Sequence, residues 1–374
     1  MPPADEILQA IEGSVAAIAA NAAAVDAEGK FPEASLDILA DVEAFGLVAS
    51  PDHGGAGGSL THLARACEAI GGACASTGMV FLMHSVTVAT LQGGGGPAAE
   101  AAVKDMVKTR ALGTLAFSER GTGAHFYAPE LKAVNNDDGS VSVSGRKSFV
   151  TSGGQADYYL VLVQSDLGAD AYLMGRNDPG LSWDGTWMGL GMAGNSSISM
   201  SLDDVIFTLE KRVGAPGKAA ELIFGVVAPW FLVGLSAVNV GIAQAASSAA
   251  AKHVMSRTYN SGGSLAEVQY IQHLIADMDL ATRKARLLLY NAAGLGDAGD
   301  PGALVPIMEA KVASTEAAQD VSGLAMAATG GQGYTPSLPV ERHFRDSRAG
   351  AVMAPTNAVL RNWIGKALTG LPVP

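Results

Sequence analysis

The stretch between Glu221 and Lys252 contains no charged side chain, and it limits the possible folds of this chain more than any other feature. A segment of that length could cross a lipid bilayer. It is interrupted, however, by Gly225, Pro229 and the polar Asn239, and its C-terminal part is rich in alanine and serine. We therefore predict a helix that other helices bury on all sides, and not a membrane span.

The composition is typical of a large helical enzyme. Of the 374 residues, 48% are hydrophobic and 6% are aromatic, which is enough core for two or three subdomains. The net charge of -12 and the lack of a Lys/Arg cluster argue against nucleic-acid and membrane partners. Cys67 and Cys74 are predicted to be buried and reduced, which suits the cytoplasm. The first residues lack the basic start of a signal peptide, and we predict no metal site.

The pattern of apolar residues divides the chain into three blocks. Residues 1–111 carry apolar side chains at helical spacing. Residues 112–216 contain short runs of β-branched and aromatic residues that turn clusters separate. Helical spacing returns over residues 217–374. We predict an α+β fold with an N-terminal helical domain, a middle β-barrel domain and a C-terminal four-helix bundle, with these boundaries.

Four motifs occur in a fixed order along the chain. Residues 118–123 read SERGTG, 145–151 read GRKSFVT, 330–334 read GGQGY and 341–348 read ERHFRDSR. Together they resemble the acyl-CoA dehydrogenase superfamily over nearly the whole chain. The resemblance implies an FAD-dependent oxidoreductase that oxidises an acyl-CoA or a similar thioester, assembled as a homotetramer. The alternating charges of the last motif are predicted to form structural salt bridges.

The resemblance also implies where a flavin would bind. It places Phe117, Ser118, Phe149 and Thr151 around the isoalloxazine ring, with the Phe149 ring packed on it and the Thr151 hydroxyl near the reactive N5. The serine at position 118 would bond the pyrimidine edge. An aromatic face and small hydroxyl donors are residue types that suit a flavin ring.

Further residues are implied at the phosphates and at the end of the site. Arg257 matches an arginine that reaches the pyrophosphate from a neighbouring subunit, and a guanidinium suits phosphate oxygens. Gly330 and Gly331 match a turn where the backbone passes close to the cofactor, and Thr356 is a further predicted contact. Because Ala327 replaces the glutamine of the family pattern, FMN is possible as well as FAD.

The catalytic base that the resemblance implies is missing. Members of the family carry Tyr-Glu-Gly-Thr near the C-terminus, and the glutamate removes the substrate α-proton; here residues 353–356 read Met-Ala-Pro-Thr. Ala354 cannot accept a proton. The second position that the family uses lies at about residues 225–240, and it contains no carboxylate either. The catalytic residue is therefore unknown from the sequence.

Three explanations stay open. In the first, another residue acts as the base, and the candidates are His125, His84 and Arg120; a histidine moves protons near neutral pH. Glu119 is a further candidate, but its place in the motif favours a structural role. In the second, the chain is a monooxygenase that uses reduced flavin and oxygen on the same fold. In the third, it is a non-catalytic flavin-binding subunit of a hetero-oligomer.

Overall fold

The computed structural model describes residues 1–260 and 262–373, and its N-terminal part is helical. Five helices precede the first strand: α1 (Ala4–Glu28), α2 (Glu33–Asp41), α3 (Leu60–Ala73), α4 (Ala75–Gly94) and α5 (Pro97–Thr109). The face of α1 that carries Ile7, Ile11 and Ile18 is buried, as its helical spacing predicts. Helix α4 is apolar nearly all round and is buried over most of its length.

Two four-stranded sheets form the middle of the chain. One sheet has the order β1 (Gly113–Ala116), β4 (Tyr158–Ser165), β5 (Gly168–Gly175), β8 (Arg212–Val213). The other has the order β2 (Ala133–Asn135), β3 (Val141–Val150), β7 (Ile198–Phe207), β6 (Leu181–Asp184). Only the β1–β4 pair is parallel among the strand pairs of the described residues.

The chain then returns to helices, as the pattern of apolar residues predicts. They are α6 (Ala219–Leu222), a π-helical turn (Ile223–Val227), α7 (Ala228–Ser256), α8 (Gln269–Asp297), α9 (Leu304–Thr329), α10 (Val340–Val352) and α11 (Asn357–Leu368). Helix–sheet–helix is the predicted α+β order.

The charge-free stretch forms α7, the central helix of the C-terminal bundle. By length and composition alone, the continuous helix Ala219–Ser256 and the helix Ala4–Glu28 could each cross a membrane. Helix α7 instead packs against α3, α8 and α9, and its interior residues are buried. A Cβ atom on Gly241 would collide with the Glu68 carbonyl oxygen, so glycine allows α3 to approach closely. This is a core helix of a soluble-type fold.

The charged motif on α10 joins three parts of the chain. The Arg345 guanidinium donates to both carboxylate oxygens of Asp26 on α1, at 2.8 and 2.6 Å, and to Glu341 at 2.8 Å. Buried Asp346 accepts a hydrogen bond of 2.6 Å from the backbone N–H of Met192 in the middle domain, and burial raises the pKa of its carboxyl to about 6. These contacts confirm the structural role predicted for the motif, and they lie within one chain.

Candidate functional site

Strand β3 contains a distortion where the sequence places its aromatic site residue. The pairing of β3 with β7 shifts register between Lys147 and Val150. Within this shift, Phe149 has φ of 54°, a left-handed backbone conformation that costs free energy for a non-glycine residue. Its ring is 70% exposed and stands edge-on to Trp187, with ring centroids 6.4 Å apart. The bulge turns a large aromatic side chain out of the sheet.

A buried ion pair holds the segment after β1 against β3. The Lys147 ammonium donates to Oε1 of Glu119 at 2.6 Å and to the Leu162 carbonyl oxygen. The other carboxylate oxygen of Glu119 accepts from the backbone N–H groups of Glu130 and Leu131, at 2.9 and 3.1 Å. Burial lowers the pKa of Lys147 to about 8, although the carboxylate opposes that shift. Glu119 therefore has the structural role that the sequence favoured.

The ion pair brings four predicted flavin residues into one region. Lys147 also contacts the Phe117 carbonyl oxygen, at 3.5 Å. The backbone N–H of Ser148 donates to the Ser118 carbonyl oxygen at 2.8 Å, which joins the two segments directly. Thr151 follows the bulge, and its carbonyl oxygen accepts a hydrogen bond of 2.8 Å from the Thr114 hydroxyl on β1. Phe117, Ser118, Phe149 and Thr151 thus lie on two segments that are bonded to each other.

The residues predicted for the phosphates lie on another part of the chain. Arg257 ends α7 and Gly330 follows α9, next to a smaller hydrophobic cluster that includes Val254 and Ala328. The Arg257 side chain is exposed and makes no ion pair with the residues that the structure describes. Gly330 has φ of 56°, and a Cβ atom on Gly330 or Gly331 would meet open space. This surface is open to an anion or to another chain.

A buried lysine binds residues 353–356, the segment where the family carries its base. Lys311 on α9 donates to the carbonyl oxygens of Met353 and Pro355, at 3.4 and 3.0 Å, and to Oδ1 of Asn357 at 2.9 Å. Burial lowers the pKa of its ammonium to about 7. Ala354 is half-buried on this segment. The hydroxyl of Thr356 accepts from the Val359 N–H at 3.4 Å and caps α11.

We expect Lys311→Met to loosen residues 353–357 and to lower the free energy of unfolding by about 2 kcal/mol at pH 7, because three acceptors lose their donor. The folded-state pKa of Lys311 is below that of an unfolded lysine, so the native state binds fewer protons between about pH 7 and 10.5. Wild-type stability should therefore rise with pH relative to the variant, by about 1 kcal/mol or more from pH 7 to pH 9. Urea unfolding at both pH values measures this, with the exposed Lys104→Met as control.

Three carboxylates of the site elements are already engaged. Glu316 on α9 is paired with both nitrogens of the Arg361 guanidinium. That pair is the main reason for the lowered pKa of its carboxyl. Glu119 is paired with Lys147, and Asp346 accepts from the Met192 N–H. These three carboxylates are therefore not free to take the place of the missing glutamate.

The three candidate bases differ in their surroundings. His84 is fully buried on α4: its Nε2 contacts the Phe45 carbonyl oxygen at 2.9 Å, and its Nδ1 accepts from the Gly113 N–H at 3.2 Å. Burial lowers its pKa to about 4. Both ring nitrogens of His84 are therefore bonded to backbone groups in the interior of the fold. Arg120 is exposed, but a guanidinium does not give up its proton.

The third candidate, His125, belongs to an aromatic cluster. Its exposed ring meets Tyr127 edge-on, with centroids 5.9 Å apart. Tyr127 lies 5.2 Å from Phe224 in the π-helical turn and 6.0 Å from Trp363 on α11, between ring centroids. The cluster therefore connects the loop after β1 with the start of α7 and with the last helix. Sequence reasoning did not find it, because its members are far apart in the chain.

Two open clefts of the described residues lie elsewhere. One, of about 450 Å³, is lined by α5 and by residues that flank β4 and β5, among them Asp105, Asp157 and Arg176. Another, of about 390 Å³, lies between α1, α3, α7 and α8. Neither includes a residue predicted to bind flavin. Of the residues predicted around the flavin ring, Phe149 is exposed and Ser118 is half-buried, whereas Phe117 and Thr151 are buried.

The side chains around the bulge of β3 fit a flavin. The exposed, strained Phe149 offers an aromatic face, and Ser118 and Thr151 offer hydroxyls beside it. Buried Asn195, close to Thr151 in the hydrogen-bond network, has an amide nitrogen without a partner among the described residues. A large exposed aromatic ring and an unsatisfied buried donor are features that a bound heteroaromatic ligand would explain.

Comparison with known proteins gives consistent matches. The N-terminal, middle and C-terminal domain models of acyl-CoA dehydrogenase match residues 5–103, 114–205 and 233–369. Cyclohexane-1-carbonyl-CoA dehydrogenase of Geobacter metallireducens is 32% identical over 94% of this chain and 93% of its own length. Butyryl-CoA dehydrogenase from Megasphaera elsdenii is similar in structure, with a TM-score of 0.92, 25% identity and 98% of both chains covered.

One further neighbour is similar in fold alone. FMN-bound TdsC from Paenibacillus sp. A11-2 has a TM-score of 0.89 at 21% identity, with 98% of both chains covered. The same architecture therefore occurs with FMN as well as in a protein named for an acyl-CoA substrate.

Proposed function

The chain belongs to the acyl-CoA dehydrogenase superfamily. We propose that it binds FAD against Phe149 and Thr151 and oxidises an acyl-CoA or a similar thioester. The observation that carries this proposal is the bulge of β3. It holds Phe149 in a strained, exposed conformation beside the buried Thr151 hydroxyl, on a segment that a buried ion pair fixes to Phe117 and Ser118.

We propose that copies of the chain complete the site, as a homotetramer. The position of the predicted phosphate residues supports this. Arg257, Gly330 and Gly331 lie next to the smaller hydrophobic cluster, whereas the residues around the bulge belong to the larger one. The outer face of α8 also exposes large apolar side chains, which are Tyr270, Leu280, Leu287 and Leu288. Exposed apolar patches of this kind are typical of protein interfaces. The buried, unpaired Cys67 and Cys74 support a cytoplasmic location.

Each of the predicted site residues has a proposed role in the reaction. Bound FAD would accept the two electrons that leave the substrate. Phe149 and Phe117 would hold the flavin ring, Ser118 would bond its edge, and Arg257 of a neighbouring copy would neutralise the phosphates. Of the three candidate bases, His125 has an accessible imidazole, and we propose it as the group that takes the substrate proton. The Tyr127–Phe224–Trp363 cluster beside it would exclude water.

A second candidate is a monooxygenase that uses reduced flavin and oxygen. It is favoured by the alanine at position 354, because such a reaction needs no carboxylate there. The aromatic cluster next to His125 would suit an apolar substrate. A non-catalytic flavin subunit is the remaining alternative.

Anaerobic mixing of the FAD-loaded protein with acyl-CoAs of graded chain length separates these functions. Bleaching of the flavin by an acyl-CoA, lost in His125→Gln, is the result that we expect. Oxygen uptake that requires an added flavin reductase and a small apolar substrate, without any bleaching by acyl-CoAs, would favour the monooxygenase. If neither occurs, co-purification with a dehydrogenase subunit that has the glutamate would favour the non-catalytic role.

We expect Phe149→Ala to weaken FAD binding by about 1 kcal/mol, roughly fivefold, because the stacking surface is lost. Fluorescence titration with FAD measures the change. Leu167→Ala is a matched control, since Leu167 is also an exposed apolar residue of the middle domain. If wild type and Phe149→Ala bind FAD with equal affinity, Phe149 is not part of the flavin site.

A further inference from the structure

The Thr151 hydroxyl belongs to a buried hydrogen-bond network of three side chains. Its Oγ1 lies 3.1 Å from Oγ of Ser197, and the Ser197 hydroxyl donates to Oδ1 of Asn195, also at 3.1 Å. The three residues are 6%, 8% and 1% exposed, in that order. Water therefore has little access to this hydrogen-bond network, and its three residues determine where each hydroxyl hydrogen points.

Asn195 determines which hydroxyl of this network donates and which accepts. An amide oxygen only accepts hydrogen bonds, so Ser197 uses its single hydrogen on Asn195. Ser197 can then only accept from Thr151, whose own hydrogen points towards Ser197. The opposite side of the Thr151 oxygen is left with lone pairs and no hydrogen. Thr151 is thereby an acceptor towards any ligand that it meets.

We propose that Ser197 and Asn195 are positioning residues that make Thr151 a hydrogen-bond acceptor for flavin N5, so that the site binds reduced flavin more tightly than oxidised flavin. The inference rests on the proposed function, because it requires N5 to lie against the Thr151 hydroxyl. N5 carries a hydrogen in reduced flavin and a bare lone pair in oxidised flavin. A hydroxyl oxygen that acts only as an acceptor forms a hydrogen bond with the N5–H of reduced flavin and repels the N5 lone pair of oxidised flavin.

The midpoint potential of the bound flavin tests this directly. In Ser197→Ala, the Thr151 hydrogen is free to turn towards oxidised N5. We expect the preference for reduced flavin to fall about tenfold, which lowers the potential by about 30 mV for a two-electron couple. Asn195→Leu should shift the potential in the same direction, since Ser197 then has its hydrogen available for Thr151. The potentials are measured anaerobically on the full flavin-loaded chain against a reference dye.

Two controls separate positioning from a general structural effect. Ser197→Thr keeps a hydroxyl and should keep the wild-type potential. Ser199→Ala removes a half-buried hydroxyl two residues further along and should also leave it unchanged. An unchanged or raised potential in Ser197→Ala overturns the inference but not the flavin site. Failure of the wild-type chain to bind FAD or FMN overturns the proposed function and this inference together.

Discussion

Replacement of Lys147 by methionine is expected to lower the free energy of unfolding by about 3–5 kcal/mol, because it leaves the buried Glu119 carboxylate without its cation. Lys147 is fully buried and also donates to the Leu162 carbonyl oxygen. The variant should also lose most of its affinity for flavin, since the ion pair fixes the segment of Phe117 and Ser118 against β3. Urea unfolding and FAD titration measure the two effects.

The double variant Lys147→Met with Glu119→Gln shows whether the ion pair itself is responsible. Without a buried charge, it should regain part of the stability that Lys147→Met loses. Arg146→Met is the neighbouring control, because its pair with Asp184 is exposed and worth little. A loss below about 1 kcal/mol in Lys147→Met would contradict the role given to this pair.

Introduction of a carboxylate at position 354 is expected to have the largest effect on activity. In the His125→Gln background, where the proposed base is absent, Ala354→Glu combined with Pro355→Gly, which gives the segment more freedom next to the new side chain, should accelerate flavin reduction by acyl-CoA by about 10²–10⁴-fold. That is the usual contribution of a positioned general base. Stopped-flow absorbance of the flavin under anaerobic conditions measures the rate.

Ala354→Gln with the same second substitution, in the same background, is the matched control. It has the size of the glutamate variant but no basic oxygen, and it should react no faster than His125→Gln alone. If the glutamate variant reduces its flavin with none of the acyl-CoAs, while it still binds FAD, the pocket is not built for these thioesters. The monooxygenase would then be the better explanation.

The architecture could be predicted because it depends on repeated patterns of residues. Helical spacing in the first and last blocks and β-type runs between them indicate the three-part order. The charge-free stretch indicates a central buried helix, and α7 is that helix. Predictions of this kind average over many residues, so single substitutions do not disturb them.

The details of the site depend on pairings that a sequence does not display. The conformation of Phe149 arises from a register shift between β3 and β7, strands that are far apart along the chain. His84 has the residue type of a catalytic base, but its burial and its two hydrogen bonds depend on Phe45 and Gly113. Lys311 is one signal that the sequence does display, since it is the single basic residue among the mostly apolar and small residues of α9.

Titration of the purified chain with FAD and with FMN tests most directly whether the bulge of β3 carries a flavin site. The expected result is saturable binding of one flavin per chain, with a shifted flavin spectrum, which Arg257→Met and Phe149→Ala both weaken. Saturable binding that neither substitution alters would place the flavin elsewhere. No spectral change with either flavin, in protein that is folded by circular dichroism, would contradict the account.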